Sequence, residues 1–258
     1  EFFVFADPDG KRIGSGGSTI YVLYKLLEHY SKTSQYKSLG DILEKRISII
    51  HSGGDSRRLP AYSPVGKLFF PLPTDFFPLA EKDGKMDGFV TIFDLFLNNL
   101  SYLPYQENGQ VIVASGDVLL VFDGSKAVIH ESGVTGVAYP GPFEVATNHG
   151  VYIVGEDHSS DKPVKVSDFL QKPTYDELEE CNGFDLANRA FIDTGIMNFA
   201  NDAVKTLLDA SGISIGDGKI LVESGSLADL LINGDIQFDI YKEIPFAMLG
   251  KDINDPFD

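Results

Sequence analysis

The chain has 258 residues, of which 43% are hydrophobic and 19 are phenylalanine, so residues 1–258 fit one large α/β domain with a single sizeable core. Its 38 acidic residues outnumber its 21 basic ones. This balance argues against a nucleic-acid partner, because binding along a duplex requires an extended basic face. With Cys181 as the only cysteine and no run of about 18 apolar residues, we expect no disulfide, no membrane partner and a cytoplasmic location.

Apolar spacing predicts the first helix after Ser18-Thr19, which can cap its start. The apolar residues at helical spacing are Ile20, Leu23, Leu26, Leu27 and Tyr30. Later predicted elements are a helix over 39–45, a strand over 47–51, a helix over 88–100, a strand over 111–115, short β-prone pieces over 134–154 and a helix over 202–209. This alternation predicts a Rossmann-like, three-layer α/β fold with a mostly parallel mixed sheet and ligands at the carboxyl ends of its strands.

A glycine pair follows the predicted strand over 47–51. Gly53 and Gly54 have no Cβ atoms, so the backbone N–H groups of such a loop can reach phosphate oxygens. An ordinary β-to-α turn has the same pattern. The segment that follows the glycines favours a ligand site over a plain turn.

Positive charge is concentrated just after these glycines, in a chain with a formal net charge of −17. Arg57, Arg58 and Lys67 supply it, where a polyanion would need cations. The segment is not a P-loop, because Leu68 follows the lysine where a Ser or Thr would contact Mg²⁺. The pattern indicates a nucleotide-phosphate site of another kind.

The run Ser52-Gly53-Gly54-Asp55-Ser56-Arg57-Arg58-Leu59-Pro60, followed by Gly66-Lys67, resembles the signature of sugar nucleotidyltransferases. The commoner loop reads Gly-x-Gly-Thr-Arg, whereas this one has Ser56-Arg57 at the Thr-Arg positions. Within that group the sequence is most similar to the L-fucose-1-phosphate guanylyltransferases, including the bifunctional fucokinase/guanylyltransferases. The other matching segments are Asp7-Pro8-Asp9-Gly10, Gly14-Ser15-Gly16-Gly17-Ser18-Thr19, Ser115-Gly116-Asp117, Thr147-Asn148-His149-Gly150-Val151, Leu170-Gln171-Lys172-Pro173, Asp193-Thr194-Gly195-Ile196 and Phe238-Asp239-Ile240-Tyr241.

The resemblance implies a nucleotide-diphospho-sugar transferase fold and a Mg²⁺-dependent reaction of GTP with L-fucose 1-phosphate that releases pyrophosphate. It also implies that the domain is part of a longer protein, with a kinase or C-terminal domain in some members. The attacking sugar-phosphate oxygen is already anionic near neutral pH, so the enzyme must chiefly align two polyanions and neutralise their charge. Arginine, lysine and Mg²⁺ suffice for that task.

The nucleotide is assigned to the loop and to two other glycine segments. Arg57, Arg58 and Lys67 are the expected catalytic cations for the triphosphate and the leaving pyrophosphate. The expected nucleotide-binding residues are Ser52, Gly53, Gly54, Asp55, Ser56, Gly116, Gly16 and Gly17. The last two lie in a glycine run that opens a helix and can bind phosphate there, although a simple turn leading into the helix explains it equally well.

The metal is assigned to two aspartates. Asp117 follows the apolar strand over 111–115 and is the family's metal aspartate by similarity; the alternative is a cap of the following turn. For the second carboxylate we choose Asp239 over Asp235, whose Asn-Gly-Asp context is typical of a turn. Zinc chemistry is unsupported, because no metal-ligand spacing is found at His29, His51, His130 or His158.

The resemblance assigns the sugar 1-phosphate to three segments. They comprise the residues Asn148, His149, Gly150, Lys172, Asp193, Thr194 and Gly195. Lys172 would face the phosphate, against the alternative of a solvated surface lysine, and Gln171 stands where the family often has Glu. The Asp-Thr-Gly segment would close over the sugar hydroxyls, or it could be a plain β-turn.

Two other functions fit parts of the sequence. In a sugar kinase, the glycine runs would form an ATP-binding loop, and the nucleotide product would be ADP, without release of pyrophosphate. A non-catalytic nucleotide-binding fragment would bind nucleotide without turnover. Base and sugar specificity rest on the family resemblance alone.

Overall fold

The computed structural model describes residues 1–33, 38–53, 60, 66–72, 90–116, 118–155, 162–216 and 218–251. Within these ranges the α-helices are α1 (Gly14–Thr33), α2 (Gly40–Leu43), α3 (Ile92–Tyr102), α4 (Phe143–Ala146), α5 (Tyr175–Glu180), α6 (Asn201–Ala210), α7 (Leu227–Ile232) and α8 (Ile240–Leu249). The strands are β1 (Arg46–His51), β2 (Gln110–Ser115), β3 (Val134–Gly141), β4 (Gly150–Val154), β5 (Val166–Gln171), β6 (Ala190–Ala200), β7 (Ile213–Gly216) and β8 (Lys219–Val222).

A six-stranded sheet forms the centre of the domain, in the order β1-β2-β6-β4-β5, with β3 also paired to β6. The β1–β2 ladder is parallel, and the other ladders of this sheet are antiparallel. It follows that β1 to β4 run in one direction and that β5 and β6 run in the other. The α/β class and the mixed sheet expected from the sequence are therefore confirmed, with more antiparallel pairing than the alternation of elements suggests.

Alternate residues of β2 point into different cores, as the two-residue period of a strand requires. Val111 and Val113 pack in a core with α1, α6 and the start of α8. Ile112 and Ala114 pack in a second core with α3. Helices therefore cover both faces of the sheet, which confirms the three-layer prediction.

The long strand β6 holds two separate ladders along one of its edges. Its residues 196–200 pair with β2, and its residues 191 and 192 pair with β4. Strand β3 occupies the opposite edge. Because β2 and β4 run in the same direction, the carboxyl end of β2 faces the start of β4 across residues 193–195. We call this gap, with the adjoining ends of β1 and β5, the notch.

Helix α1 begins earlier than the sequence predicts. The expected cap at Ser18-Thr19 lies inside the helix, which starts at Gly14. The reason is tertiary: the carbonyl oxygen of Phe238 accepts from the N–H groups of Gly16 at 2.8 Å and Gly17 at 3.1 Å, and so takes the place of a local side-chain cap.

The other predicted elements are present with shifted ends. The helix expected over 39–45 is shorter, and the helix expected over 88–100 begins later, at Ile92 behind a Thr91 capping box. The region over 134–154 contains β3, α4 and β4. Among the described helices, none has the length and hydropathy needed to cross a bilayer.

Candidate functional site

The carboxyl ends of β1 and β2 meet at one side of the notch. The N–H of Gly116 donates to the carbonyl oxygen of His51 over 2.9 Å. A Cβ atom on Gly116 would lie 2.3 Å from that oxygen, so only glycine permits this approach. Ser52 and Gly53 follow β1 directly, and both are exposed. The two predicted nucleotide segments that follow β1 and β2 are thus brought together.

Lys67 lies next to these strand ends. Gly66 adopts a φ of 77° and leads into a short 3-10 turn over Lys67–Phe69. A Cβ built on Gly66 would be 3.5 Å from Oγ of Ser52, and Leu68 packs beneath Gly116. The backbone therefore holds the predicted phosphate lysine beside the glycine loop.

Several predicted site residues lie outside the described part of the chain. They are Gly54, Asp55, Ser56, Arg57, Arg58 and Asp117. Their roles stay predictions.

Gly16 and Gly17 are buried at the first turn of α1. Their N–H groups donate to the carbonyl of Phe238, as described above. Cβ atoms would lie 2.2 Å from the Phe238 ring at Gly16 and 2.7 Å from Leu231 at Gly17. Close packing of α1 on Phe238 and on Leu231 of α7 accounts for the two glycines. This packing favours the alternative of a turn leading into the helix over contact with the nucleotide.

Asp239 stands at the N-cap of α8, beside the start of α1. Its Oδ1 accepts from Oγ of Ser15 at 2.8 Å and from the N–H of Tyr241 at 3.0 Å. The residue is exposed, and its negative charge acts to raise the pKa of both His51 and Asp193. Asp239 is therefore a carboxylate near the notch. The described residues contain no group of three or more His, Cys, Asp or Glu side chains placed to hold a metal.

The predicted sugar-phosphate segments lie on the other side of the notch. The N–H of Lys172 donates to the carbonyl oxygen of His149 over 2.9 Å, and Gly150 pairs with Gln171 at the adjoining ends of β4 and β5. Asn148, His149 and Lys172 are exposed. Segments more than twenty residues apart in the sequence, at 148–150 and 171–172, thus form one surface.

Lys172 has a backbone conformation that lysine seldom adopts. Its φ of 54° lies in the left-handed region, which costs an ordinary residue about 1–2 kcal/mol. Such strain is found most often at functional sites. The strain supports a functional role over that of an ordinary surface lysine.

The segment over 193–195 crosses the notch within β6 and is not an isolated turn. Pairing with β3 shifts between Val137 and Ala138, which leaves Thr194 and Gly195 as extra residues of a bulge. Oγ1 of Thr194 donates to the Val137 carbonyl at 2.6 Å. Gly195 has a φ of 71° and lies against Ser115 at the end of β2.

The Asp193 carboxylate faces inward beside a tyrosine. Its Oδ1 accepts from the hydroxyl of Tyr152 at 3.1 Å and from the N–H of Gly195 at 2.9 Å. Burial raises the pKa of Asp193 to about 6, although these two hydrogen bonds lower it. The same burial raises the pKa of Tyr152 well above its ordinary value. No sequence pattern indicated Tyr152, because its contact with Asp193 depends on strand pairing.

The His51 side chain is a second feature that the sequence did not indicate. Its Nε2 lies 3.0 Å from Oγ1 of Thr19 in α1, and its Nδ1 lies 3.0 Å from the hydroxyl of Tyr241 in α8. Burial lowers the pKa of His51 to about 4, so the ring is neutral near pH 7. The strand period was the available signal, because it places His51 on the same face as the core residue Ile49.

Comparison with known proteins decides the family. The family model described as the fucose pyrophosphorylase domain matches residues 40–257. This chain belongs to that family. The match includes every predicted site residue except Gly16 and Gly17.

Two relatives of this chain are much longer proteins. The bifunctional fucokinase/GDP-fucose pyrophosphorylase of Arabidopsis thaliana is 34% identical over 209 residues, which are 74% of this chain and 19% of that protein. The fucose-1-phosphate guanylyltransferase of Mus musculus is 31% identical over 191 residues, which are 70% of this chain and 29% of that protein.

A more distant likeness is the crystal structure titled mannose-1-phosphate geranyltransferase, from Thermus thermophilus. It aligns with a TM-score of 0.42 and 13% identity, over 76% of this chain and 69% of that one.

The two sides of the notch carry different residues. One side carries strand ends and Lys67, and the other carries Lys172 and the exposed 148–149 pair. The Asp193 carboxylate forms part of the floor, and Asp239 lies close enough for its charge to act on it. The arrangement places one lysine on each side of the notch.

Proposed function

We propose that this domain transfers a guanylyl group from GTP to L-fucose 1-phosphate, giving GDP-L-fucose and pyrophosphate. The observation that carries the proposal is the notch, in which the end of β1, with Ser52 and Gly53, and the end of β5, with Lys172, lie on opposite sides of 193–195. The family membership and the activities named for the relatives support the choice of nucleotide and sugar.

The chemistry needs alignment and charge neutralisation more than proton transfer, because the phosphate nucleophile is already anionic. We assign Lys67 to the triphosphate, with Arg57 and Arg58 as its expected partners. Asp117 and Asp239 would hold Mg²⁺, whose preference for carboxylate oxygens fits both residues. When bound, the ion would neutralise charge on the triphosphate.

The sugar 1-phosphate takes the opposite side of the notch. Lys172 supplies a cation for its phosphate, beside Asn148 and His149. Asp193 is largely ionised at pH 7 with a pKa of about 6, so its carboxylate can accept hydrogen bonds from sugar hydroxyls. The Tyr152 hydroxyl, by donating to Asp193, holds that carboxylate in a fixed orientation.

The context of the domain is also part of the proposal. Because the chain spans 19% to 29% of the curated relatives described above, we infer that it works within a longer protein. The bifunctional Arabidopsis relative supports a fused kinase as one such context, since a fucokinase would supply the sugar 1-phosphate. A cytoplasmic location stays a prediction from the sequence.

Pyrophosphate release tests the function directly. The domain is incubated with Mg²⁺, one of GTP, ATP, UTP or CTP, and one of L-fucose, D-mannose or D-glucose 1-phosphate. We expect release with GTP and L-fucose 1-phosphate, together with formation of GDP-L-fucose. Release with a different pair would overturn the assigned substrates, and formation of a nucleoside diphosphate without pyrophosphate would overturn nucleotidyl transfer itself.

A further inference from the structure

We propose that His51 is a positioning residue that fixes Gly116, the residue before the predicted metal aspartate, and Asp239 relative to Ser52 and Gly53 at the end of β1. This inference rests on the proposed function, because those residues matter to catalysis only if the domain binds Mg²⁺ and a nucleotide. His51 itself touches neither ligand. Its role is to hold three separate parts of the chain in one arrangement.

The backbone of His51 makes the first two connections. It is the last residue of β1, so the loop that begins with Ser52 and Gly53 starts from it. Its carbonyl oxygen accepts from the N–H of Gly116, the residue before Asp117, at 2.9 Å. The absence of a Cβ on Gly116 allows this contact. The start of the glycine loop and the segment before the first metal aspartate are therefore joined at one residue.

The imidazole ring makes the third connection, to α1 and α8. Nε2 lies 3.0 Å from Oγ1 of Thr19, and Nδ1 lies 3.0 Å from the Tyr241 hydroxyl. The rings of His51 and Tyr241 also meet edge to face, with centroids 5.8 Å apart. The N–H of Tyr241 in turn donates to Oδ1 of Asp239 at 3.0 Å. A displacement of Tyr241 would therefore displace Asp239.

The direction of each hydrogen bond follows from the Thr19 hydroxyl. That hydroxyl has one proton, which it donates to the carbonyl oxygen of Ser15 at 2.9 Å. Its oxygen is then the acceptor for an N–H at Nε2 of His51, and Nδ1 is left to accept from the Tyr241 hydroxyl. We assign His51 as the neutral Nε2–H tautomer on this basis. The ring thus has one specific partner on each helix.

Loss of this ring would affect turnover more than folding. The core that holds α1 and α8 against the sheet consists of many apolar side chains, including Ile13, Ile20 and Ile240, and it remains when the imidazole is replaced. By contrast, a displacement of about 1 Å in a catalytic group can lower turnover about a hundredfold. A positioning role therefore predicts a folded variant with slow turnover and altered use of Mg²⁺.

Three substitutions at the same position separate the two ring contacts. His51→Leu removes both of them. His51→Asn retains an acceptor near the position of Nδ1, for Tyr241, and His51→Gln retains a donor near the position of Nε2, for Thr19. His29→Leu is the matched control, because His29 is an exposed histidine of α1 that packs on Phe3 and Tyr30.

We expect His51→Leu to lower kcat about a hundredfold and to raise the Mg²⁺ concentration for half-maximal rate, with the KM for GTP changed less. His51→Asn should restore most of kcat, because the bond to Tyr241 fixes Asp239, and His51→Gln should restore less. Tyr241→Phe should resemble His51→Gln, and His29→Leu should match the wild type. Wild-type kcat and Mg²⁺ dependence in folded His51→Leu would overturn the inference, as would no rescue by His51→Asn.

A binding measurement separates this inference from the proposed function. Mn²⁺ binding in the presence of GTP, followed by the loss of the free-ion signal in electron paramagnetic resonance, requires no turnover. A wild-type domain that binds Mn²⁺ and GTP but transfers nothing would overturn the proposed function alone. In that case weaker Mn²⁺ binding in His51→Leu, restored in His51→Asn, would still support the inference, and equal binding would overturn it. A wild-type domain that binds neither ligand overturns both.

Discussion

The hydroxyl of Tyr152 in β4 donates to Oδ1 of Asp193 in β6 over 3.1 Å, at the point where the ladder between these strands ends. Strand pairing places a phenol beside a carboxylate, although the two residues are 41 positions apart in the sequence. Asp193 is an acid that the fold has partly removed from water. Its titration is consequently the clearest electrostatic signature of the notch.

Asp193 should make stability depend on pH in a defined window. Burial raises its pKa in the folded state to about 6 from an ordinary value of 3.8. Between these values the folded protein binds more protons than the unfolded chain, so its stability falls as the pH rises through the window. Asp193→Asn keeps the acceptor oxygen and removes this dependence, which amounts to at most about 3 kcal/mol.

Urea unfolding of the metal-free protein from pH 4 to pH 7 measures the effect. We expect the stability of Asp193→Asn relative to wild type to increase by up to about 3 kcal/mol as the pH rises through the window. Asp235→Asn, at an exposed position, controls for the removal of one negative charge. A constant difference between Asp193→Asn and wild type would contradict the raised pKa.

Tyr152→Phe should shift the acidic side of the pH profile of kcat/KM to higher pH. The hydrogen bond from Tyr152 lowers the pKa of Asp193, so its removal raises that pKa further. If ionised Asp193 binds the sugar, the pH at which kcat/KM for L-fucose 1-phosphate falls to half should increase. The wild type with the same substrate is the reference, since the phosphate of the substrate also titrates. An unchanged pH profile would show that ionised Asp193 does not bind the sugar.

Lys172 should show a conflict between stability and activity. Glycine at this position relieves the left-handed strain, and we expect Lys172→Gly to raise the free energy of unfolding by up to about 1 kcal/mol while it lowers turnover. Lys172→Ala keeps the strain and removes the cation, so it should lose activity without the gain in stability. Lys165→Gly, at an exposed lysine without positive φ, is the matched control. Full activity in Lys172→Ala would show that Lys172 is an ordinary surface lysine without a role in turnover.

Gly195 should not tolerate a side chain. Its φ of 71° disfavours any L-residue, and a Cβ atom would lie 2.9 Å from Cβ of Ser115. We expect Gly195→Ala to lower the unfolding free energy by about 2 kcal/mol or more, measured by chemical denaturation. Gly216→Ala is the control, because no described atom lies within 4 Å of its built Cβ. Equal stability of the two variants would show that the bulge accommodates a Cβ atom at position 195, contrary to this prediction.

The sequence predicted the elements well where a local pattern reports burial. The five apolar residues chosen for α1 are all buried, and the strands before and after the loop end close to the predicted positions. The sequence patterns could not predict which residues, far apart in the chain, contact each other. The contact of His51 with Tyr241 spans 190 residues, and Phe238 replaces a local cap at the start of α1. Periodicity shows that a face is buried, but not which element covers it.

Both glycine segments were candidates for nucleotide binding from the sequence, and they differ in the structure. Gly16 and Gly17 have neighbours so close that packing explains them. At Gly53, by contrast, no described atom lies within 4 Å of a built Cβ, and its φ is not in the left-handed region. Among the described atoms, then, no packing contact and no left-handed backbone requires glycine at position 53. We predict that a ligand phosphate approaches the backbone closely here.

Gly53→Ala tests this prediction. The described atoms leave room for the methyl group, so the free energy of unfolding should change by less than about 0.5 kcal/mol. A phosphate held against the loop would meet the new methyl group, and we expect the affinity for GTP to fall about tenfold, a loss of about 1.4 kcal/mol. Gly155→Ala, where the built Cβ is equally unobstructed, should change neither quantity. Calorimetric titration with GTP measures the affinity, and wild-type affinity in Gly53→Ala would show that the phosphate does not approach this part of the loop.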